Sequence, residues 1–205
     1  MLQRNTLEES TLVLLKDLCK LSIFKDLRLV GGTALALQLG HRHSIDLDLF
    51  GVIAEDLDIA KIENILQTAG FEVLVYHNSK AIKTIFVNNV KVDIVSNHMN
   101  WFNPPIEIEG IRMAGLKDIA AMKLFAITGR GRKKDFVDLY FLLQHFTLEQ
   151  MLSFFEEKYP NTSLFLVEKS LTYFHDAEQD PMPEMSIDVS WNKIKSTICD
   201  MVKNL

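Results

Sequence analysis

Apolar residues recur along this chain in two rhythms, every third or fourth position in some stretches and every second in others. Leu7 to Phe24 has helical spacing, with Leu12, Leu15, Leu18 and Leu21 on one side, and Thr6 followed by Glu9 predicts a capped start. "LRLVGG" predicts a short strand ending in a glycine turn, and "TALALQLG" a short helix closed by Gly40. "SIDLDLFG" alternates strictly, so it predicts a strand with Ile45, Leu47 and Leu49 on one face and Asp46 and Asp48 on the other. "AEDLDIAKIENILQTAG" predicts an amphipathic helix ended by Gly70. Three strands follow, "FEVLVYH", "AIKTIFV" and "VKVDIVS", the last two joined by a tight turn at Asn88-Asn89. "WFNPPIEIEGIRMAG" predicts a loop and one more short strand.

From Leu116 the alternating rhythm disappears. "LKDIAAMKLFAIT", "KKDFVDLYFLLQHF", "TLEQMLSFFEEKY" and "NTSLFLVEKSLTYFH" predict four consecutive helices. A polar, proline-bearing loop, "DAEQDPMPEMSID", and a last helix, "VSWNKIKSTICDMVKNL", complete the chain. The expected fold class is therefore α+β: a mixed sheet with flanking helices in residues 1–113, then an all-α helical domain in residues 114–205.

Composition narrows the classes of protein. With 205 residues, 48% hydrophobic and 24% charged, the chain has an ordinary globular balance and length enough for a substantial core. Its formal net charge of −5 excludes coating of nucleic acid through bulk positive charge, while a local basic patch could still hold a nucleic-acid end. Cys19 and Cys199 are too few for a disulfide scaffold or a zinc cluster and fit a reducing cytoplasm. Acids and lysines interrupt the N-terminal apolar pattern, unlike a signal peptide, and no segment approaches the roughly 20 apolar residues that span a bilayer. A soluble, cytoplasmic protein without membrane partners is expected.

The candidate chemistry lies in "RLVGGTALALQLGHRHSIDLDLFG". Side chains two apart on a strand share a face, so the Cα atoms of Asp46 and Asp48 stand about 6.5–7 Å apart. Carboxylates so placed repel unless a cation sits between them, and Mg²⁺ takes one or two protein carboxylates together with water and substrate phosphate. A pair of ions, or one ion with its waters, satisfies the spacing; a bare D-x-D is equally a solvated strand face. Gly31-Gly32-Thr33 stands at a strand-to-helix turn, where backbone N–H groups can approach an anion and the Thr33 hydroxyl can donate, or where Thr33 simply caps the helix. The spacing is neither a Walker loop nor a dinucleotide fingerprint. Asp93, between Val92 and Ile94, becomes a third acid if its strand lies beside "DLDLF"; it would serve as general base or as a third metal ligand, and is otherwise an outward aspartate. Arg42 could grip a leaving pyrophosphate, and Ser44 could fix the turn. His41 and His43, without a third ligand nearby in sequence, read as incidental.

In combination, Gly31-Gly32-Thr33, a short helix and Arg42-x-Ser44-x-Asp46-x-Asp48 resemble the nucleotidyltransferase superfamily. More closely, "GGTALALQLGHRHSIDLDLF" is similar to the first motifs of the AbiEii/AbiGii-type nucleotidyltransferases, toxins of bacterial toxin–antitoxin and abortive-infection systems. "LKDIAAMKLFAITGRGRKKDFVDLYFLL" resembles the later motif pair: a lysine on one helix, then a basic loop and D-x-x-D opening the next. The resemblance implies Lys123 as the motif lysine, with Lys117 the alternative because the intervening loop is short, and Asp135 and Asp138 as the paired acids. It implies a nucleotidyltransferase-like sheet, a nucleoside triphosphate substrate, Mg²⁺ in a two-ion site formed by Asp46, Asp48 and Asp93, and a cognate antitoxin. A tRNA or other RNA 3′ end is the implied acceptor.

By their own chemistry, Asp135 and Asp138 share a helix face; the first can cap its helix and the second can orient Lys123 or Arg42 by an ion pair. Lys123 could instead reach a triphosphate directly. Arg130, Arg132, Lys133 and Lys134 concentrate charge in "GRGRKKD", as a solvated junction or as a phosphate contact. The aromatics of "FFEEKY", "LFLV" and "LTYF" read as core. The expected reaction moves a nucleoside monophosphate from an NTP to an acceptor hydroxyl with release of pyrophosphate. The alternatives are transfer to a protein or small molecule, and a non-catalytic module that binds nucleotide or a partner.

Overall fold

The computed structural model describes residues 1–54, 57–96 and 100–205. Helix α1 (Glu9–Lys20) buries Leu12, Leu15 and Leu18 along one face, as their spacing requires. Thr6 does not cap it. The helix starts from Glu8, and the Thr6 hydroxyl donates to the Gln3 carbonyl inside a preceding 3₁₀ turn. Strand β1 (Leu27–Val30) runs directly into α2 (Gly31–Leu39), which Gly40 closes in the left-handed conformation.

Strand β2 (Leu47–Gly51) is shorter than its alternation predicts. It pairs antiparallel with β1 until Val30 meets Asp48, where β1 turns away into α2 and leaves residues 45 and 46 without that ladder partner. Ile45 is accordingly 69% exposed rather than packed with Leu47 and Leu49, and Asp46 lies just before the strand.

Helix α3 (Ile59–Thr68), capped by the Asp58 side chain, then leads into β3 (Val73–Asn78), β4 (Ile82–Val87) and β5 (Val90–Ser96). The helix predicted from residue 54 includes Glu55 and Asp56, which lie outside the described residues. Asn88 and Asn89 both take positive φ in the tight turn joining β4 to β5. The stretch before Leu116 holds two strands rather than one, β6 (Ile106–Ile108) and β7 (Ile111–Met113). Glu109 and Gly110 turn between them at positive φ, and ion pairs from Arg4 and Lys16 hold the Glu109 side chain.

These seven strands form one mixed sheet in the order β3-β4-β5-β2-β1-β7-β6. The helical half comprises α4 (Leu116–Gly129), α5 (Lys133–Leu142), α6 (Leu148–Lys158), α7 (Leu164–Leu171) and α9 (Trp191–Lys203), with a one-turn α8 (His175–Glu178) in the predicted loop. One hydrophobic cluster runs from Leu2 to Ile198 and joins both halves. Contacts of α2 with α4 and α5 bring the glycine turn against the helices that carry Lys123 and Asp138. No helix among the described residues is long and apolar enough to cross a membrane.

Candidate active site

Two neighbouring strands deliver the acids, and a third brings the glycine turn beside them. Parallel pairing of β2 with β5 sets Asp48 beside Asp93, and antiparallel pairing with β1 sets Asp48 opposite Val30, next to the glycine turn. Asp93 therefore joins the site that its sequence position left open. Its carboxylate accepts from the Thr84 hydroxyl across the ladder at 2.6 Å and from the Lys91 ammonium. The Thr84 contact depends on strand register, whereas Lys91 stands two residues from Asp93 on the same strand face.

Burial pushes the Asp48 carboxyl above its ordinary range; Asp93 pushes it further up, Lys123 opposes, and Asp46 adds to the rise. This group is short of positive charge, the condition that a divalent cation would relieve. Asp46, partly exposed, has the Lys134 ammonium 3.7 Å away. Among the described residues, no three His, Cys, Asp or Glu side chains, Asp46, Asp48 and Asp93 included, stand together as a group that could hold a metal ion. An open pair of carboxylates suits Mg²⁺, which keeps positions for water and phosphate.

The glycine turn fits around these groups. A side chain at Gly31, whose φ is +69°, would place its Cβ 2.4 Å from the Asp48 carboxylate. At Gly32 a Cβ would fall 2.1 Å from the Arg42 guanidinium. Both positions need glycine for close approach, and Gly31 also for its backbone. Gly31→Ala should therefore cost about 1–2 kcal/mol from the backbone conformation alone, measured by urea denaturation, with a further loss of transfer activity as Asp48 is displaced. No side chain caps the first turn of α2.

Thr33 is buried and its hydroxyl is already committed: it donates to the Asp46 carbonyl and accepts from Ser44 Oγ at 2.8 Å. In this geometry Thr33 and Ser44 bolt α2 to the segment carrying Asp46 rather than offering a hydroxyl to phosphate.

Behind the turn lies a buried ionic network. Asp138, fully buried, accepts through Oδ1 from His41 Nε2 at 2.8 Å and Arg42 Nε at 2.7 Å, and through Oδ2 from a terminal Arg42 guanidinium nitrogen at 2.9 Å and Lys123 Nζ at 2.5 Å. Asp135 accepts from Lys123 Nζ at 2.9 Å and from Arg130. Burial pushes the Asp138 carboxyl up, but Arg42 and Lys123 outweigh it and hold the group well below the carboxylate range. Asp135 is lowered in the same way by Lys123 and Arg130 against its burial. For Lys123, burial lowers the pKa, and Asp138 and Asp135 more than offset that. Burial pushes the His41 imidazole pKa down; its Nε2–H donates to Asp138, and among the described residues its Nδ1 has no hydrogen-bond partner.

Several expectations change here. Arg42 is 3% exposed, spent on Asp138 and the His43 carbonyl, so it does not reach out toward a pyrophosphate in this conformation. His41 is not incidental but a member of the network, hidden from sequence reading because its partner stands far along the chain. Lys117 is exposed, its ammonium over the Phe154 ring, whereas Lys123 lines the cleft. Within "GRGRKKD", Lys133 turns inward to the Asp180 and Glu178 carbonyls, while Arg130 remains 55% exposed. Arg42, Lys123 and Arg130 against Asp135 and Asp138 give three positive and two negative charges, a surplus of one beside the crowded Asp48.

The cleft enclosing these groups has a volume of about 540 Å³, within the range of small-molecule sites, and is lined by Gly31, Asp48, Lys123 and Arg130 together with apolar residues of β2, α4 and β4. From outside, the segment before β2 is held by the chain's C-terminal part: Arg42 bridges to Met185, His43 N–H donates to the Glu184 carbonyl, and the Ser186 and Ile187 N–H groups donate to the His41 carbonyl.

A mixed sheet with carboxylates on adjacent central strands, beside an uncapped glycine turn and facing a cationic helical wall, defines a nucleotidyltransferase. The chain belongs to the nucleotidyl transferase AbiEii toxin family of type IV toxin–antitoxin systems, whose pattern it matches over residues 13–200. It is 32% identical to an uncharacterized protein of Aquifex aeolicus over 193 residues, covering 92% of each chain. Its fold is similar to that of JHP933 from Helicobacter pylori, with a TM-score of 0.54, 18% identity and coverage of 97% of this chain and 94% of the other. The nucleotidyltransferase toxin MenT4 of Mycobacterium tuberculosis gives a TM-score of 0.59 at 15% identity, covering 94% of this chain and 84% of MenT4.

Proposed function

We propose that this toxin-family nucleotidyltransferase takes an NTP into the cleft with Mg²⁺ and transfers the nucleoside monophosphate to an RNA 3′ hydroxyl, with a tRNA end as the leading acceptor. The observation that carries the reading is the Asp48 carboxylate, crowded by Asp93 and Asp46 and facing a network with surplus positive charge. Asp46 and Asp48 would hold Mg²⁺, which neutralises phosphate charge and lowers the pKa of the attacking hydroxyl when bound.

The chain's own groups supply the rest. The open N–H groups of the α2 first turn receive phosphate oxygens at the positive end of the helix. Arg130, anchored by Asp135 yet half exposed, stabilises charge as it develops on the leaving pyrophosphate, with Lys123 behind it. Asp93, oriented by Thr84 and charge-balanced by Lys91, takes the proton of the acceptor hydroxyl or completes the metal shell. Asp138 acts indirectly, by fixing Lys123 and Arg42.

The test supplies each of the four radiolabelled NTPs with Mg²⁺ to the protein together with total RNA, protein extract and small acceptors. Label should appear in RNA of tRNA length, at the 3′ end. Label confined to protein or small molecules would replace the acceptor, and no incorporation or pyrophosphate release with any of them would overturn transfer.

A further inference from the structure

The cleft has a second kind of lining that the phosphate chemistry does not use. Met122, Phe125, Ala126 and Gly129 recur at helical spacing along α4 and present an unbroken apolar stripe to the cleft. Phe125 lies against the Tyr159 ring, centroids 4.7 Å apart and planes 25° from parallel, yet is still 48% exposed. A side chain at Gly129 would meet nothing within 4 Å, so the space beside the stripe is open. Tyr159, which sequence spacing assigned to the core, is thus a cleft residue.

Building on the NTP reading of this cleft, we infer that the Phe125–Tyr159 stack is the platform for the nucleobase of the donor, holding purines more tightly than pyrimidines and reading base identity only weakly. An exposed aromatic face backed by a second ring accepts any base by stacking, and the larger purine covers more of it. Selectivity needs hydrogen-bonding groups at the base edge. Among the described residues, the polar side chains lining the cleft are Asp48, Lys123, Arg130 and Tyr159, and the first three belong to the phosphate and cation chemistry. That leaves one phenol for the base. Burial, and then Asp118, push this hydroxyl up to about 12, so it stays protonated. Phe125 lines the same cleft as Lys123, which places the platform with the donor rather than with the acceptor.

The test is calorimetric titration, with Mg²⁺, of α,β-methylene ATP, α,β-methylene UTP and inorganic triphosphate into the full chain, as wild type, Phe125→Ala and Phe125→Trp. Wild type should bind the ATP analogue several-fold more tightly than the UTP analogue, and both more tightly than triphosphate. Phe125→Ala should weaken the ATP analogue about tenfold or more while leaving triphosphate unchanged, and Phe125→Trp should restore the nucleotide gain. Equal nucleotide affinity in wild type and Phe125→Ala, or a strong preference for one base, would overturn the platform and leave the phosphate site standing. So would a defect of Phe125→Ala in acceptor binding alone. If wild type bound neither nucleotide nor triphosphate, the NTP reading would fall and the platform with it.

Discussion

Asp48→Asn should abolish nucleotidyl transfer, by about a thousandfold or more, and yet leave the protein as stable as wild type or more so. The two effects have one cause. Burial, with Asp93 and Asp46, raises the Asp48 pKa in the folded chain, so its ionised form is disfavoured there. A group with a raised native pKa contributes most below its unfolded value, and that contribution is lost as pH rises through the native value. Above its native pKa wild type bears the cost of the crowded charge, and asparagine removes it. Thermal denaturation across this pH range should show the advantage of the variant growing as pH rises. Labelled-NTP incorporation should be lost at every pH. A variant that transfers normally, or that unfolds readily, would refute the assignment of Asp48 as the charge-deficient centre.

Asp138→Asn should do the reverse to stability. It neutralises the one carboxylate shared by His41, Arg42 and Lys123, and strands buried cations at a cost of about 3–5 kcal/mol. The Asp138 pKa is depressed in the native state, so its contribution is present above the unfolded carboxylate value of about 3.9 and is lost as pH falls toward the native one. Urea denaturation should therefore show a wide gap between variant and wild type at pH 7 that closes in acid. Transfer should also fall, because Lys123 and the segment leading to Asp46 lose their anchor. An unchanged denaturation midpoint at pH 7 would remove Asp138 from this role.

The contrast between the two aspartates shows what the sequence could and could not reveal. Local patterns carried the strand–turn–helix at Leu27–Leu39, the Asn88–Asn89 hairpin and the helical half, because each is set by residues close together in the chain. The Glu109–Gly110 hairpin escaped, since glutamate at positive φ is held there by distant Arg4 and Lys16. Ile45 misled because alternation describes an extended segment whether or not a neighbouring strand continues beside it. At the site, residue types and spacing pointed to Asp46 and Asp48, and the family resemblance pointed to Lys123, with Lys117 as the alternative, and to the D-x-x-D pair. The division of labour did not follow from them. That Arg42 and Thr33 are bound inward while Arg130 opens outward is decided by partners that only packing supplies. Thr84 became visible through strand register alone.

The backbone bonds from Glu184, Ser186 and Ile187 to the His41–His43 segment also fix an order of events during synthesis. A nascent chain that has extruded its whole sheet still lacks the residues that close over this segment. Until they leave the ribosome, Arg42 and the approach to Asp46 are without their outer brace, so full competence waits on Glu184, Met185, Ser186 and Ile187.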